Sequence, residues 1–163
     1  FAGLGTAVFF SSNAPGSGRE LWRTDGTPQG TALVKDINTG TVGSGASGFL
    51  TVGNRTFFRA DDGVHGMEPW VTDGTVAGTR MIRDIYPGAG PSYPSGFTAM
   101  NGSVYFSASD PVIGGKLWRT DGTEAGTSLV RDICPGSGER RGGKEGRSRR
   151  SAADCCERRP SSP

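Results

Sequence analysis

Short runs of aromatic and β-branched residues recur along the chain, and each run is bounded by Gly, Pro, Asn or Asp. Runs of this kind predict β-strands that are separated by turns. Between residues 49 and 96 the pattern predicts four strands, at Phe49–Val52, Arg55–Ala60, Glu68–Thr72 and Thr79–Asp84. The next segment, Tyr86–Gly96, is rich in Pro and Gly and is predicted to be a connection.

The same pattern occurs three times, at an interval of 48 residues. Thirteen of the 48 positions are identical in all three copies, and the alignment needs no gap. The repeated residues include the three tryptophans of the chain, Trp22, Trp70 and Trp118. They also include one Asp-Gly-Thr triplet in each copy, Asp25-Gly26-Thr27, Asp73-Gly74-Thr75 and Asp121-Gly122-Thr123. The chain is therefore predicted to be a tandem array of three units, at residues 1–48, 49–96 and 97–138.

Four antiparallel strands in a 48-residue period predict an all-β fold of β-propeller blades, whose repeats run about 40 to 50 residues. A β-solenoid is the alternative, although its rungs are usually shorter. In the fourth strand of the first unit, Leu33 and Ile37 are predicted to point to one face and Val34 to the other. Apolar residues on both faces indicate a blade covered on both sides. Three blades do not close a ring, which typically needs about four to eight, so missing blades of the same chain are expected partners.

The residues around each tryptophan resemble a known repeat. The motif of the bacterial ELWxxDGT repeat family is similar to Glu20-Leu21-Trp22-Arg23-Thr24-Asp25-Gly26-Thr27. The third copy departs from this motif in Lys116, and the middle copy departs from it in Pro69. The resemblance covers residues 1 to 138 and implies a propeller in a secreted or surface-associated bacterial protein, with no known reaction. Because Pro69 cannot donate a ladder hydrogen bond, its strand is predicted to be an edge strand or bulged.

Composition favours strands and turns over helices. The chain has 28 Gly and 10 Pro, and inside a helix each Gly costs about 1 kcal/mol and each Pro about 3 kcal/mol. No apolar run approaches the roughly 20 residues that a transmembrane helix needs. An extracellular or cell-surface location is expected from the resemblance, with any signal peptide upstream of this sequence.

Residues 139–163 match nothing earlier in the chain. This tail carries eight basic and four acidic residues, whereas residues 1–138 carry ten basic and twelve acidic ones. We expect the tail to be an out-of-frame or truncated translation of GC-rich DNA, and a genuine disordered tail is the alternative. A nucleic-acid-binding arm is a third interpretation, but no aromatic residue is interleaved to stack on bases. Nucleic acid is therefore not an expected partner.

Each Asp-Gly-Thr triplet has a structural and a functional interpretation. Carboxylate, hydroxyl and carbonyl oxygens are the ligands that Ca²⁺ prefers, but each loop repeats only one carboxylate. In a structural turn, Asp accepts backbone N–H bonds, Gly takes a positive φ and Thr fixes the next segment. The turn is the favoured interpretation, so no cofactor is expected, and Ca²⁺ stays open as the alternative.

Candidate catalytic residues are few. His65 is the only histidine, and it lies in a loop where a solvated side chain is expected. A Ser-His-Asp triad would require it, but no nucleophile-elbow motif accompanies it. The neighbouring Asp61 and Asp62 are better explained by turn formation than by acid/base chemistry. Each repeated tryptophan is predicted to be the core anchor of its strand, with an aromatic platform for a sugar as the alternative.

These observations predict a non-catalytic module for binding or scaffolding. Loops on a rigid array carry recognition, so a protein or carbohydrate ligand is expected at the variable loops, Asn13–Gly18, Asp61–Gly66 and Asp110–Gly115. The alternatives are the propeller part of a larger extracellular hydrolase-type enzyme and a calcium-dependent adhesion module. Ladders between blades are expected from the repeated pairs of a basic residue and Asp, Lys35-Asp36, Arg83-Asp84 and Arg131-Asp132.

Overall fold

The structure is a computed structural model that describes residues 1–132. Those residues form three four-stranded antiparallel sheets and contain no helix. We name the sheets unit 1, unit 2 and unit 3. Unit 1 comprises β1 (Ala2–Leu4), β2 (Ala7–Ala14), β3 (Gly18–Thr24) and β4 (Ala32–Lys35). Unit 2 comprises β5 (Ser47–Val52), β6 (Arg55–Asp61), β7 (Met67–Thr72) and β8 (Arg80–Met81). Unit 3 comprises β9 (Ser95–Met100), β10 (Ser103–Asp110), β11 (Gly114–Thr120) and β12 (Ser128–Leu129).

Each sheet is a meander in which the strands pair in chain order. The predicted all-β fold of tandem four-stranded units is therefore confirmed. Units 2 and 3 begin at Ser47 and Ser95, two residues before the starts that the repeat predicts. The second and third predicted strands of unit 2 agree with β6 and β7 to within one residue. Residues 133–138 of the third predicted unit and the tail at 139–163 lie outside the described residues.

The fourth strand of each unit is shorter than its sequence pattern predicts. In unit 2 the prediction of Thr79–Asp84 is wrong, since β8 spans only Arg80–Met81. In unit 1 the register shifts between the pairs Trp22↔Leu33 and Leu21↔Lys35, so that Val34 is an extra residue on β4. Such a bulge interrupts the alternation of side chains along the strand. The alternation predicted for Leu33, Val34 and Ile37 therefore does not continue through the unit.

Pro69 lies on an inner strand, so the predicted edge strand or bulge is wrong. Its strand, β7, pairs with β6 on one side and with β8 on the other without a shift in register. The Pro69 carbonyl accepts a hydrogen bond from the Ile82 N–H at 2.8 Å. The missing N–H of Pro69 points to the same side, where the ladder to β8 already ends at Met81. Proline at this position therefore costs the sheet little hydrogen bonding between β7 and β8.

The three units stack through the faces of their sheets. β1 contacts β5 and β5 contacts β9, so the first strands of the units lie next to one another. Between units 1 and 2, the side chains of Phe9, Leu21 and Val34 share a core with Phe58 and Trp70. Between units 2 and 3 a second core contains Phe57, Val71, Ile82 and Val104. Unit 2 is thus covered on both sides, and the molecule is an open row of propeller-like blades.

We call the face of a unit that points to the preceding unit its leading face. The opposite face, which points to the following unit, is its trailing face. Trp70 lies on the leading face of unit 2, whereas Phe9 lies on the trailing face of unit 1. The equivalent positions in the other units belong to the equivalent faces, because side chains of a strand alternate between the two faces.

Candidate functional site

The Asp-Gly-Thr triplets form the same hydrogen-bonded turn in all three units. In unit 1, Asp25 Oδ1 accepts from the Thr27 N–H at 2.9 Å and from the Thr27 hydroxyl at 2.7 Å. The glycine has a positive φ, 92° at Gly26, as the turn requires. The bonds recur at 2.9 and 2.7 Å in Asp73 and Thr75 and at 2.8 and 2.7 Å in Asp121 and Thr123, with φ near 90° at Gly74 and Gly122.

Further repeated hydrogen bonds close the loop that this turn begins. Thr27 Oγ1 accepts from the Gly30 N–H at 3.0 Å, and the Thr24 and Thr31 hydroxyls lie 2.7 Å apart. A Cβ at Gly30 would overlap the Asp25 carboxylate, so a side chain at this position would displace that carboxylate from the turn. Units 2 and 3 repeat each of these contacts. The repeated polar residues therefore bind one another within the loop.

The carboxylates of these turns are held in the charged form. The Thr hydroxyl, followed by the Thr backbone N–H, holds the pKa of Asp25, Asp73 and Asp121 below the ordinary value of 3.8. Oδ1 of each Asp already accepts the two hydrogen bonds of its own turn. Within residues 1–132, no group of three or more His, Cys, Asp or Glu side chains is placed to hold a metal ion.

Glu20 fixes the connection that leaves unit 1, and Glu68 fixes the connection that leaves unit 2. Glu68 is fully buried, and its carboxylate accepts from the N–H groups of Ile85 at 3.0 Å, Tyr86 at 3.3 Å and Ser92 at 3.0 Å. It also accepts from the Ser92 hydroxyl at 2.7 Å. Glu20 makes the equivalent four bonds in unit 1, to Ile37, Asn38 and the N–H and hydroxyl of Ser44.

The role of these glutamates is not predicted from the sequence. The available signal was the Glu at the start of the repeated motif, identical in two units. Burial is the larger influence on Glu68 and raises its pKa, although its four hydrogen bonds act in the opposite direction. In unit 3 the position is occupied by Lys116, whose Nζ lies 3.4 Å from Asp132 Oδ1. Lys116 therefore makes a different polar contact from Glu20 and Glu68.

A basic residue from unit 1 and one from unit 2 each reach across to the next unit. Lys35 Nζ donates to the Thr79 carbonyl at 2.8 Å and lies 5.8 Å from the centroid of the Trp70 ring. Arg83 repeats both contacts in the following pair of units, with the Thr127 carbonyl at 2.8 Å and the Trp118 ring at 5.8 Å. The basic members of the predicted ladders thus link the blades, and they do so through a carbonyl and an indole ring.

The Asp-Gly-Thr turn of each following unit also docks on the unit before it. A Cβ at Gly74 would lie 3.1 Å from Phe9 Cζ, and one at Gly122 would lie 3.4 Å from the Phe57 ring. Arginines of the preceding unit donate to carbonyls of the turn. These bonds run from Arg23 to Gly74 at 3.4 Å, from Arg55 to Asp121 at 3.0 Å and from Arg80 to Gly122 at 2.7 Å. The turn is therefore part of the interface between units.

The tryptophans lie in the same stack of side chains. Trp70 and Trp118 are each 5% exposed, and the Phe58 and Trp70 rings lie 6.4 Å apart. Each of these two indoles has a cation of the preceding unit over it. Trp22 lies in the first described unit and is only half-buried. Trp70 and Trp118 therefore act as core anchors, and their covered faces leave no room for a sugar ring.

The variable loops close the hairpins at the ends opposite the Asp-Gly-Thr turns. Asp62 Oδ1 accepts from the N–H groups of Val64 and His65, while Oδ2 lies 2.8 Å from His65 Nδ1. Burial alone would raise the pKa of Asp62, but the bonds from His65 and Val64 outweigh it and the pKa is lowered. The hydrogen bond to Asp62 raises the pKa of His65. Asp61 accepts from the Gly63 N–H at 2.7 Å, so both carboxylates shape the loop.

A cleft of about 340 Å³ opens between units 1 and 2. Its lining includes the aromatic side chains Phe1, Phe10 and Phe49 and the cation of Arg19. Arg19 directly follows the variable loop Asn13–Gly18. Its volume is at the lower end of the range of about 300 to 1,000 Å³ that small-ligand sites have, but the cleft is open to solvent.

Comparison of the chain with protein-family models and with curated proteins finds no match. Over residues 1–132, no helix has the length and apolar character needed to cross a lipid bilayer.

Proposed function

We propose that this chain is a non-catalytic repeat module that binds or scaffolds a partner in a secreted or surface bacterial protein of the ELWxxDGT repeat type. One observation carries the proposal: the repeated polar side chains are used in turns, connections and contacts between units. Asp25, Glu20 and Lys35 each contact the protein itself, as do their equivalents in unit 2. What varies between units is the loop at the opposite end of each hairpin.

The loops are suited to recognition because the stack supports them. The three units share one strand order, so their variable loops project from the same edge of the row. A Cβ at Gly63 would lie 2.8 Å from Asn38 Oδ1, so the loop of unit 2 packs on the connection that leaves unit 1. Exposed apolar side chains, Val64 and Val112, lie in these loops. Rigid support lowers the entropy cost of binding, which favours a protein or carbohydrate ligand at this edge.

The test compares two edges of the same molecule. The loop variant carries Val64→Ser and Val112→Ser, and the control carries Pro28→Ser and Val76→Ser in the Asp-Gly-Thr loops. The four residues are exposed, so we expect all variants to keep the melting temperature of the wild type. The probes are a library of bacterial surface oligosaccharides and a library of displayed peptides.

We expect the wild type to bind a subset of these probes and to leave them chemically unchanged. We expect the loop variant to lose about tenfold in affinity, equivalent to about 1.4 kcal/mol, and the control to bind as the wild type does. Turnover of a probe by the wild type would contradict a non-catalytic module. Retention of no probe, or equal losses in both variants, would contradict binding at the variable loops.

A further inference from the structure

Unit 1 has an open leading face, and unit 3 has an open trailing face. Unit 2, between them, shows how each face is covered when a neighbour is present. The open leading face comprises Val8, Trp22, Thr31 and Leu33. The open trailing face comprises Tyr105, Leu117, Val130 and Arg131.

On the leading face, the exposure of equivalent residues differs sharply between units. Val8 is 40% exposed, whereas its equivalents Thr56 and Val104 are 0% and 2% exposed. Thr31 is exposed, whereas Thr79 and Thr127 are buried beneath the preceding unit. The leading face of unit 1 is therefore built like those of units 2 and 3, but its residues are exposed where theirs are buried.

The trailing face of unit 3 shows the same contrast. Leu117 is 42% exposed and Val130 is 44% exposed. Their equivalents in unit 1, Leu21 and Val34, are buried, as is Ile82 in unit 2. Isolated exposed apolar residues are ordinary, but a face that is buried in both equivalent units is an interface without its partner.

On each open face, a residue that makes a polar contact in the equivalent units is left exposed. Arg131 is exposed and occupies the position of Lys35 and Arg83, the residues that cover the next tryptophan. Within residues 1–132, no basic side chain lies over the Trp22 ring as Lys35 and Arg83 lie over Trp70 and Trp118. Gly26 has nothing within 4 Å of a Cβ position, although its equivalent Gly74 lies against Phe9.

We propose that the trailing face of unit 3 binds the leading face of unit 1 in a second copy of this chain, head to tail. The contact reproduces the interface that already occurs twice inside the molecule. Arg131 then lies over Trp22 of the second copy and donates to the carbonyl of its Thr31. Tyr105 packs against Gly26 of the second copy. Two copies supply six blades, within the range of about four to eight that propeller rings contain.

This contact joins two different faces, so it is heterologous and makes rings or open rows according to its rotation. A heterologous contact has a specific experimental consequence. A copy that has lost its trailing face and a copy that has lost its leading face each fail to assemble alone. Mixed together, they retain one intact interface and form a pair that cannot grow further.

The test uses the full 163-residue chain and sedimentation velocity. The leading-face variant carries Val8→Asp and Leu33→Asp, and the trailing-face variant carries Leu117→Asp and Val130→Asp. A matched control carries Val64→Asp and Val112→Asp, which are exposed outside both faces. All six residues are exposed in a single copy, and circular dichroism verifies that each variant folds.

At a concentration of about 100 µM, the wild type and the control are expected to sediment as two or more copies. Each face variant is expected to sediment as one copy, and their equimolar mixture as a pair. Acrylamide quenching of tryptophan fluorescence is expected to fall on assembly, because Trp22 becomes covered.

A monomeric wild type at this concentration overturns the proposal, as does assembly that both face variants retain. If the wild type assembles and the mixture of variants stays monomeric, the head-to-tail contact is also overturned, and a contact between identical faces takes its place. The outcome is independent of the proposed function, since no variable-loop residue belongs to either face.

Discussion

The glycine of the Asp-Gly-Thr turn has two separate roles at the scale of single residues. Gly26 and Gly74 have nearly the same positive φ, 92° and 90°. Their surroundings differ, since a Cβ at Gly26 would meet nothing within 4 Å and one at Gly74 would lie 3.1 Å from Phe9 Cζ. Backbone geometry thus favours glycine at both positions, and of the two only Gly74 is also crowded by the neighbouring unit.

We predict that Gly74→Ala destabilises the protein more than Gly26→Ala. Both variants place a side chain at a positive φ, which costs about 1 to 2 kcal/mol. Gly74→Ala adds the crowding against Phe9, for which overpacking costs of about 1 to 3 kcal/mol are typical. Urea denaturation at low protein concentration measures the difference. Equal losses would show that the turn of unit 2 does not dock on unit 1.

We predict that Glu68→Gln lowers the free energy of unfolding by about 2 kcal/mol at neutral pH. The amide keeps the shape of the side chain but turns one acceptor oxygen into a donor that faces N–H groups. Hydrogen bonds to a charged group contribute about 1.5 to 3 kcal/mol each, and relief of the buried charge offsets part of the loss. Ser92→Ala removes one donor and is expected to cost about 1 kcal/mol. A neutral Glu68→Gln substitution, measured by denaturation, would contradict the anchoring role.

The lowered pKa values of the turn carboxylates predict how stability depends on pH. Asp25, Asp73 and Asp121 have pKa values in the folded state below their ordinary value of 3.8. Their contribution is therefore complete above that value and is lost as pH falls through the folded pKa. The raised pKa of Glu68 acts in the opposite direction: the pH-dependent part of its contribution is greatest below 4.5 and is lost as pH rises through its folded pKa, whereas its carboxylate keeps its hydrogen-bond partners.

Asp73→Asn isolates the carboxylate effect, because the amide oxygen accepts the same bonds without titrating. We expect the loss of stability between about pH 5 and pH 2 to be smaller in this variant than in the wild type. Thermal melts across this range measure both profiles. Parallel profiles would show that the bonds to Thr75 do not depend on the charge of Asp73.

The turn residues could be predicted from sequence because their partners are local. The bonds of Asp25 and Thr27 join residues two to four apart, so the motif itself contains the whole contact. The role of Glu20 could not be predicted in this way. Its partners lie 17 to 24 residues further along the chain, and only the fold brings the connection back to the sheet.

At the scale of elements, the second and third strands were the easiest to predict. They carry aromatic or β-branched residues and end at Gly or Asp, and β6 and β7 match the prediction to within one residue. The fourth strand depends on its partner, and the bulge at Val34 has no signal in the sequence. Pro69 was misassigned because the cost of a missing N–H depends on where the neighbouring ladder ends.

The contacts between elements of neighbouring units give a matched comparison. We predict that Lys35→Met and Arg83→Met each destabilise the protein by about 1 kcal/mol, through the lost hydrogen bond and the lost cation–π contact. Arg131→Met, at the equivalent position of unit 3, is expected to leave the stability of a single copy unchanged. Chemical denaturation at low concentration measures all three. An equal loss in Arg131→Met would show that these residues act within their own unit.

At the scale of the whole molecule, the period of 48 residues predicts a stack of units. The structure adds which face of each unit contacts the preceding unit and which face contacts the following one. Sequence alone indicated sheets covered on both faces, but the side to which Lys35 reaches depends on the twist and order of the units. Because each unit contacts only its neighbours, stability is approximately a sum of units and interfaces, as in other repeat proteins. Two faces at the ends of the described row are left open, and the faces of unit 2 show what each is built to bind.

The stacked array depends on the docking of the Asp-Gly-Thr turns of units 2 and 3 on the units that precede them. Nuclear Overhauser effects between the Phe9 ring and the Gly74 Hα protons, and between the Phe57 ring and the Gly122 Hα protons, test it directly. The contact of Phe49 with Phe58, whose centroids lie 5.6 Å apart within unit 2, serves as the internal reference. We predict that both cross-unit effects are observed together with the reference. Observation of the reference alone would show three separate sheets and contradict the stacked array.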